Sequence, residues 1–157
     1  MDGLQKRKQI RLKYYDYSQN GYYFITICTK DRKPLFWKSV EADTIRPDLS
    51  EYGEIVNTAI NAIPLYYPHI KIDRYVIMPD HIHLIIIISN DESGRMISAP
   101  TKPITTVIGQ MKRWVTKEIG FSVWQKSYYE HVIRDEDDYV EKAQYILNNP
   151  LNLNIRE

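Results

Sequence analysis

Hydrophobic positions along this chain fall into two regimes, dense apolar runs and runs at helical spacing. Tyr22-Tyr23-Phe24-Ile25-Thr26-Ile27-Cys28-Thr29 is aromatic and β-branched, follows the turn signal Asn20-Gly21, and predicts a buried strand. Residues 30–48 are mixed and charged, carry Pro34 and Pro47, and predict a loop region. Ser50 then offers a helix cap. Tyr52, Ile55, Val56, Ala59 and Ile63 recur at helical spacing, and Pro64 is the expected stop.

A second β-rich stretch runs from about Ile70 to Met78 and a third from His81 to Ile88, with Pro79-Asp80 between them. Two strands joined by a tight turn fit this pattern, and so does one long strand with a bulge. Residues 89–102 predict an exposed loop. From Pro103 an amphipathic helix follows, with Ile104, Val107, Ile108, Met111, Trp114 and Val115 on its apolar stripe and Gly120 at its end. Residues 122–133 read as extended and aromatic. Asp135 caps a last helix whose acidic first turn suits the helix dipole. That helix is expected to reach about Asn148 and to close at Pro150, with Tyr139, Ala143, Ile146 and Leu147 as its core stripe.

The order is therefore β-α-β-β-α-β-α. Apolar strands need cover and three helices supply it, so the expected fold is α+β, a ferredoxin-like antiparallel sheet with helices packed on it. At 157 residues a single domain over 1–157 is expected. No apolar run approaches the ~20 residues that span a bilayer. The one cysteine, Cys28, excludes an internal disulfide and suits a reducing interior. Met1 to Lys13 is polar and basic without an apolar core, unlike a secretory signal, so a cytoplasmic protein with no membrane partner is expected.

Charge changes the picture only through its placement. The net is +1, from 21 Lys and Arg against 20 Asp and Glu. Yet Lys6, Arg7, Lys8, Arg11 and Lys13 crowd an N-terminal arm, residues 1–17, that ends in Tyr14, Tyr15 and Tyr17. Such an arm can track phosphates and stack on bases, or it can be a solvated tail. The polar face of the 103–120 helix, with Thr106, Gln110, Arg113 and Lys117, has the same two readings: contact with nucleic acid, or ordinary solvation.

His81-Ile82-His83 is the sharpest local feature. On a strand, residues two apart share a face, so both imidazoles project together while Ile82 and Leu84 go to the other side. Neutral imidazole is the commonest protein metal ligand, and a same-face pair is half of a metal site. Two hydrogen-bonded histidines at a strand end would give the same string. His69 follows Tyr66-Tyr67-Pro68 in a turn. His131 lies in the aromatic stretch and is not expected to bind metal. On the last helix, Tyr145 and Asn149 are four residues apart, on one side and roughly 100–140° from the core stripe. A tyrosine beside an amide, off the core face, is either a functional pair or one exposed aromatic among 13 tyrosines near a helix end.

Taken together, these pieces resemble a known family. Val76-Ile77-Met78-Pro79-Asp80-His81-Ile82-His83-Leu84-Ile85-Ile86 resembles the histidine motif of the single-tyrosine HUH transposases, the insertion-sequence-200-like group. Residues 124–134, Trp124-Gln125-Lys126-Ser127-Tyr128-Tyr129-Glu130-His131-Val132-Ile133-Arg134, resemble the segment ahead of their catalytic helix. Tyr145-Ile146-Leu147-Asn148-Asn149-Pro150 resembles the nucleophile helix of the REP-associated tyrosine transposases, and Tyr22 to Phe36 their first strand and loop. The likeness runs from about residue 10 to residue 152.

It implies a metal-dependent endonuclease and strand transferase acting on single-stranded or hairpin DNA, through a 5′-phosphotyrosine intermediate. By position, His81 and His83 are the metal pair, Tyr145 the nucleophile and Asn149 the third ligand, where some relatives have glutamine. Ligand softness would favour manganese or zinc, whereas the resemblance implies magnesium or manganese. Monomer and homodimer both remain open. Two alternatives stand beside it. One is a domesticated, non-cleaving DNA-hairpin binder on the same scaffold. The other is an RNA-binding or structural module in which His-x-His is incidental.

Overall fold

The chain's structure, a computed structural model, describes residues 21–38, 48–89 and 103–156, with the backbone alone described from 149 onward. Four strands and three helices alternate: β1 (Gly21–Cys28), α1 (Glu51–Tyr66), β2 (Ile70–Ile77), β3 (His81–Ile88), α2 (Ile104–Ile119), β4 (Tyr129–Ile133) and α3 (Glu136–Arg156). The sheet order is β2-β3-β1-β4, and every neighbouring pair is antiparallel. This is the ferredoxin-like arrangement that the order of elements predicts, with α3 added after the last strand. The 70–88 region resolves into two strands joined by the Met78-Pro79-Asp80 turn.

The period-2 pattern sorts the sheet into two faces. Tyr23, Ile25 and Ile27 of β1 and Ile82, Leu84, Ile86 and Ile88 of β3 point one way and form the main core under α1 and α2. Phe24 and Ile85 point the other way and meet Ala143 and Ile146 of α3. In β2 the alternation changes phase, because its register shifts between Ile72 and Arg74. The extra residue of a bulge changes which side chains face the core. Ile70 and Ile77 join the main core, while Val76 packs with the α3 cluster.

Side chains pin α3 across its sheet face. The Tyr139 hydroxyl donates to Asp73 on β2 at 2.6 Å and accepts from Arg74 Nε at 3.3 Å. Asp138 meets His131 Nε2 of β4 at 2.8 Å and Lys142 Nζ at 3.0 Å. Asp135 caps the helix by accepting from the Asp138 N–H at 2.8 Å.

Several expectations need correction. Pro64 does not end α1, which runs to Tyr66, and Pro150 lies within α3, which runs to Arg156. A proline removes one donor and crowds the carbonyl four residues back, but its fixed φ is itself helical, so a helix can pass through it. Trp114 and Leu147 are 41% and 58% exposed rather than core, because no layer covers those flanks of their helices among the described residues. The 122–133 stretch is strand only over Tyr129–Ile133, with an isolated bridge pairing Thr29 and Trp124. The 30–48 segment also holds a short 3-10 turn, Lys30–Arg32. Among the described residues, no helix is long and apolar enough to cross a membrane.

Gly53, in the first turn of α1, allows a close approach. A Cβ there would run into the Phe36 carbonyl, which is already fixed by accepting the Ser50 N–H at 2.8 Å. Alanine normally gains about 1 kcal/mol over glycine inside a helix. Here the collision outweighs that gain, and Gly53→Ala is expected to lower stability by about 1–3 kcal/mol. A urea midpoint that rises instead would contradict this packing.

Candidate functional site

The site lies on the α3 face of the sheet, built on the parity of β3. His81 and His83 share that face, and their rings meet edge to face with centroids 4.7 Å apart. Pairing register places Thr26 of β1 beside His83 and Cys28 beside His81. His83 is almost wholly buried. Its ring stacks on Phe24 at 5.4 Å, and its Nδ1 lies 2.8 Å from Thr26 Oγ1. Its Nε2 is buried without a hydrogen-bond partner. A buried polar atom in that state carries a desolvation cost of roughly 1–3 kcal/mol unless something satisfies it. Burial, with His81 adding a smaller push, lowers the His83 pKa to about 3, so the ring is neutral over the physiological range.

His81 is held differently. Its Nδ1 donates to Asp80 Oδ1 at 2.7 Å, and the other carboxylate oxygen accepts from Arg32 Nε at 3.1 Å. Burial by itself would raise the Asp80 pKa. The hydrogen bonds from His81 and Arg32 outweigh it and hold the carboxyl below its usual range.

Tyr145 comes to this pair from α3. Its ring meets His83 edge-on at 5.1 Å between centroids and Phe24 at 6.1 Å, and the residue is 50% exposed. Phe24, Thr26, His83, Tyr129, Glu141, Lys142 and Tyr145 line an open cleft of about 490 Å³. One half-exposed tyrosine thus stands at the mouth of a cleft with an unsatisfied imidazole nitrogen in its wall. Over residues 17–149 the chain matches the family model described as Transposase IS200 like.

The chain belongs to the IS200-like transposase family.

A Haemophilus influenzae protein named only as uncharacterized is 38% identical over 166 residues, covering 95% of this chain and 91% of its own. A second Haemophilus influenzae protein, which carries the name of the REP-associated tyrosine transposases, is 28% identical over 142 residues, covering 87% of this chain and 73% of its own. Among solved structures, a REP-associated tyrosine transposase bound to a REP hairpin superposes with a TM-score of 0.64 at 22% identity. The superposition covers 90% of this chain and 72% of that one, and it establishes the shared fold.

Within this IS200-like transposase chain, the structure brings together three of the residues singled out by sequence: His81, His83 and Tyr145. The backbone of α3 carries Asn149 one turn beyond Tyr145, and its side chain lies outside the described residues, as do Lys6, Arg7, Lys8, Arg11 and Lys13. Arg113 and Lys117 are exposed on α2, in the layer on the other side of the sheet from the imidazoles. His131 is engaged by Asp138. Spacing had not picked out Thr26, Asp80, Arg32 or Lys142. Thr26 reaches His83 through the pairing of β1 with β3, and Arg32 reaches Asp80 from the turn after β1, neither of which a local pattern encodes. Asp80 did carry a signal, since it adjoins His81 in sequence.

Proposed function

We propose that this transposase-family chain cuts and rejoins single-stranded DNA, with the Tyr145 hydroxyl as attacking group beside a divalent metal ion held by His81 and His83. The observation that carries this reading is the contact of the half-exposed Tyr145 ring with His83, whose buried Nε2 has no partner.

The residues fit a metal. Two imidazoles lie side by side, each engaged through Nδ1, so the Nε2 atoms remain to bind. Among the described residues no group of three or more His, Cys, Asp or Glu could hold an ion. The remaining donors would be oxygens, the neutral amide of Asn149 and the anionic substrate phosphate, a set that keeps positions open as catalytic sites do. Magnesium or manganese is the proposed ion. When bound, it neutralises phosphate charge and orients the phosphoryl oxygens for attack.

The chain's own residues do the rest. Tyr145 gives up its phenolic proton and its oxygen bonds to phosphorus. The bond from phosphorus to the 3′-oxygen breaks, and that oxygen takes up a proton and leaves as a free 3′-hydroxyl. The strand stays attached by a 5′-phosphotyrosine. Attack by another 3′-hydroxyl reverses the exchange and restores the tyrosine, so rejoining needs no nucleotide cofactor. Phe24, stacked on His83, walls one side of the imidazole. The solved REP-associated relative with its hairpin makes hairpin DNA the natural substrate class to test.

Incubation with a labelled hairpin oligonucleotide carrying a single-stranded flank is expected to give a protein–DNA adduct that resists denaturation. The adduct should form with magnesium or manganese and fail with excess chelator. Tight hairpin binding with no adduct under either ion would instead make the chain a non-cleaving binder.

A further inference from the structure

We propose that Asp80, braced by Arg32, is a positioning residue that locks His81 in its Nδ1–H tautomer and so leaves a bare Nε2 beside the His83 ring; this rests on the metal site proposed above. The bond between His81 Nδ1 and Asp80 Oδ1 is 2.7 Å long. An ionised carboxylate only accepts, so the shared proton belongs to the imidazole. With the proton on Nδ1, Nε2 keeps its lone pair. The Thr26 hydroxyl beside His83 can donate or accept, so it imposes no such choice on that ring. Of the two imidazoles, His81 is the one whose tautomer the protein dictates.

Asp80 is itself held through its side chain and its backbone. Arg32 Nε donates to Oδ2 at 3.1 Å. The Asp80 carbonyl accepts from the Thr29 N–H at 2.9 Å. Met78 N–H donates to the His81 carbonyl at 2.8 Å and closes the turn.

Arg32 reaches Asp80 by a strained route. Asp31 and Arg32 have φ of 58° and 54°, in the left-handed region, and neither is glycine. Each such residue costs about 1–2 kcal/mol. The turn is kept in place because Thr29 Oγ1 donates to the Lys33 carbonyl at 2.9 Å and Arg32 N–H to the Thr29 carbonyl at 3.1 Å. The Arg32 side chain is 54% exposed, and an ion pair so placed contributes roughly 0–1 kcal/mol to stability. The hydrogen bonds of the turn, rather than this ion pair, hold the left-handed backbone, and they aim Arg32 at the carboxylate that faces His81.

Long-range ¹H–¹⁵N NMR on the full-length, metal-free protein, above the usual imidazole titration range, reports the tautomer directly. The expected result is a proton on Nδ1 of His81 in the wild type and a shift toward the Nε2–H form in Asp80→Ala. Arg32→Ala should move it part of the way. Manganese affinity, read by electron paramagnetic resonance, should fall about 10–100-fold in Asp80→Ala. A wild-type His81 protonated on Nε2 overturns the proposal, and that reading needs no variant to fold. An Asp80→Ala protein with unchanged tautomer or unchanged manganese affinity overturns it as well. A wild type that binds no manganese defeats the metal site itself, and the tautomer then decides the hold of Asp80 on His81 separately.

Discussion

Tyr145→Phe is expected to reduce the covalent protein–DNA adduct below detection while leaving the fold and hairpin binding as they are. The substitution removes one oxygen and keeps the ring. The ring makes the contacts with His83 and Phe24, so packing is conserved. The residue is half exposed, and stability should change by no more than about 0.5 kcal/mol. A phenyl ring has no lone pair to offer phosphorus, so the covalent step has no substitute at this position. Adduct yield on a denaturing gel, set beside urea unfolding of the same preparation, separates lost chemistry from lost structure. Tyr129 makes the test sharp. It is also 50% exposed, it lines the same cleft, and it sits opposite Thr26 in the pairing of β4 with β1. If Tyr129→Phe is the variant that loses the adduct, the nucleophile is misassigned.

The second large effect concerns His83. Replacing it by leucine is expected to lower metal-dependent cleavage by at least about 10²–10³-fold. A metal ion supplies several kcal/mol of charge stabilisation, and each 1.36 kcal/mol is a factor of ten in rate. The same substitution should leave the metal-free protein as stable or stabilise it by about 1 kcal/mol, because it removes a buried nitrogen with no partner. Thr26 is only half-buried, so its freed hydroxyl can turn to water. Manganese should raise the melting temperature of the wild type, by about 2.7 kcal/mol of linkage at 100 times Kd, and leave that of His83→Leu unmoved.

The acid limb of stability should change as well. The folded pKa of His83, about 3, lies below the unfolded value near 6.5, so the unfolded chain binds more protons in that interval. Wild-type stability should therefore fall as pH drops from about 6.5 toward 3. His83→Leu should stay flatter until the carboxylates titrate. A His83→Leu protein that melts lower without metal and still responds to manganese would show that the imidazole is structural.

What the sequence made legible was local. The same-face pair His81 and His83 follows from period 2, and Ile82 and Leu84 do point into the main core. The placement of Ala143 and Ile146 inward and Tyr145 outward follows from period 3.6. Local patterns went wrong where a rule about one residue was stretched to an element, as at Pro64 and Pro150. They also went wrong where burial was read from residue type, as at Trp114 and Leu147. The meeting of Tyr145 with His83 is tertiary: it depends on the anchoring of α3 by Tyr139 to Asp73 and by Asp138 to His131. Family resemblance implied it, since spacing alone does not encode which strand a helix meets. Neither route pointed to Arg32, which reaches Asp80 through a left-handed turn.

Mass spectrometry of the trapped adduct locates the covalent bond to a single residue. Trypsin separates the two exposed tyrosines of the cleft, placing Tyr145 in the peptide 143–156 and Tyr129 in 127–134. A nucleotide joined through its 5′-phosphate to Tyr145 in the first peptide is the expected result. The modification on 127–134, or a 3′-phosphate linkage in place of the 5′, would contradict it.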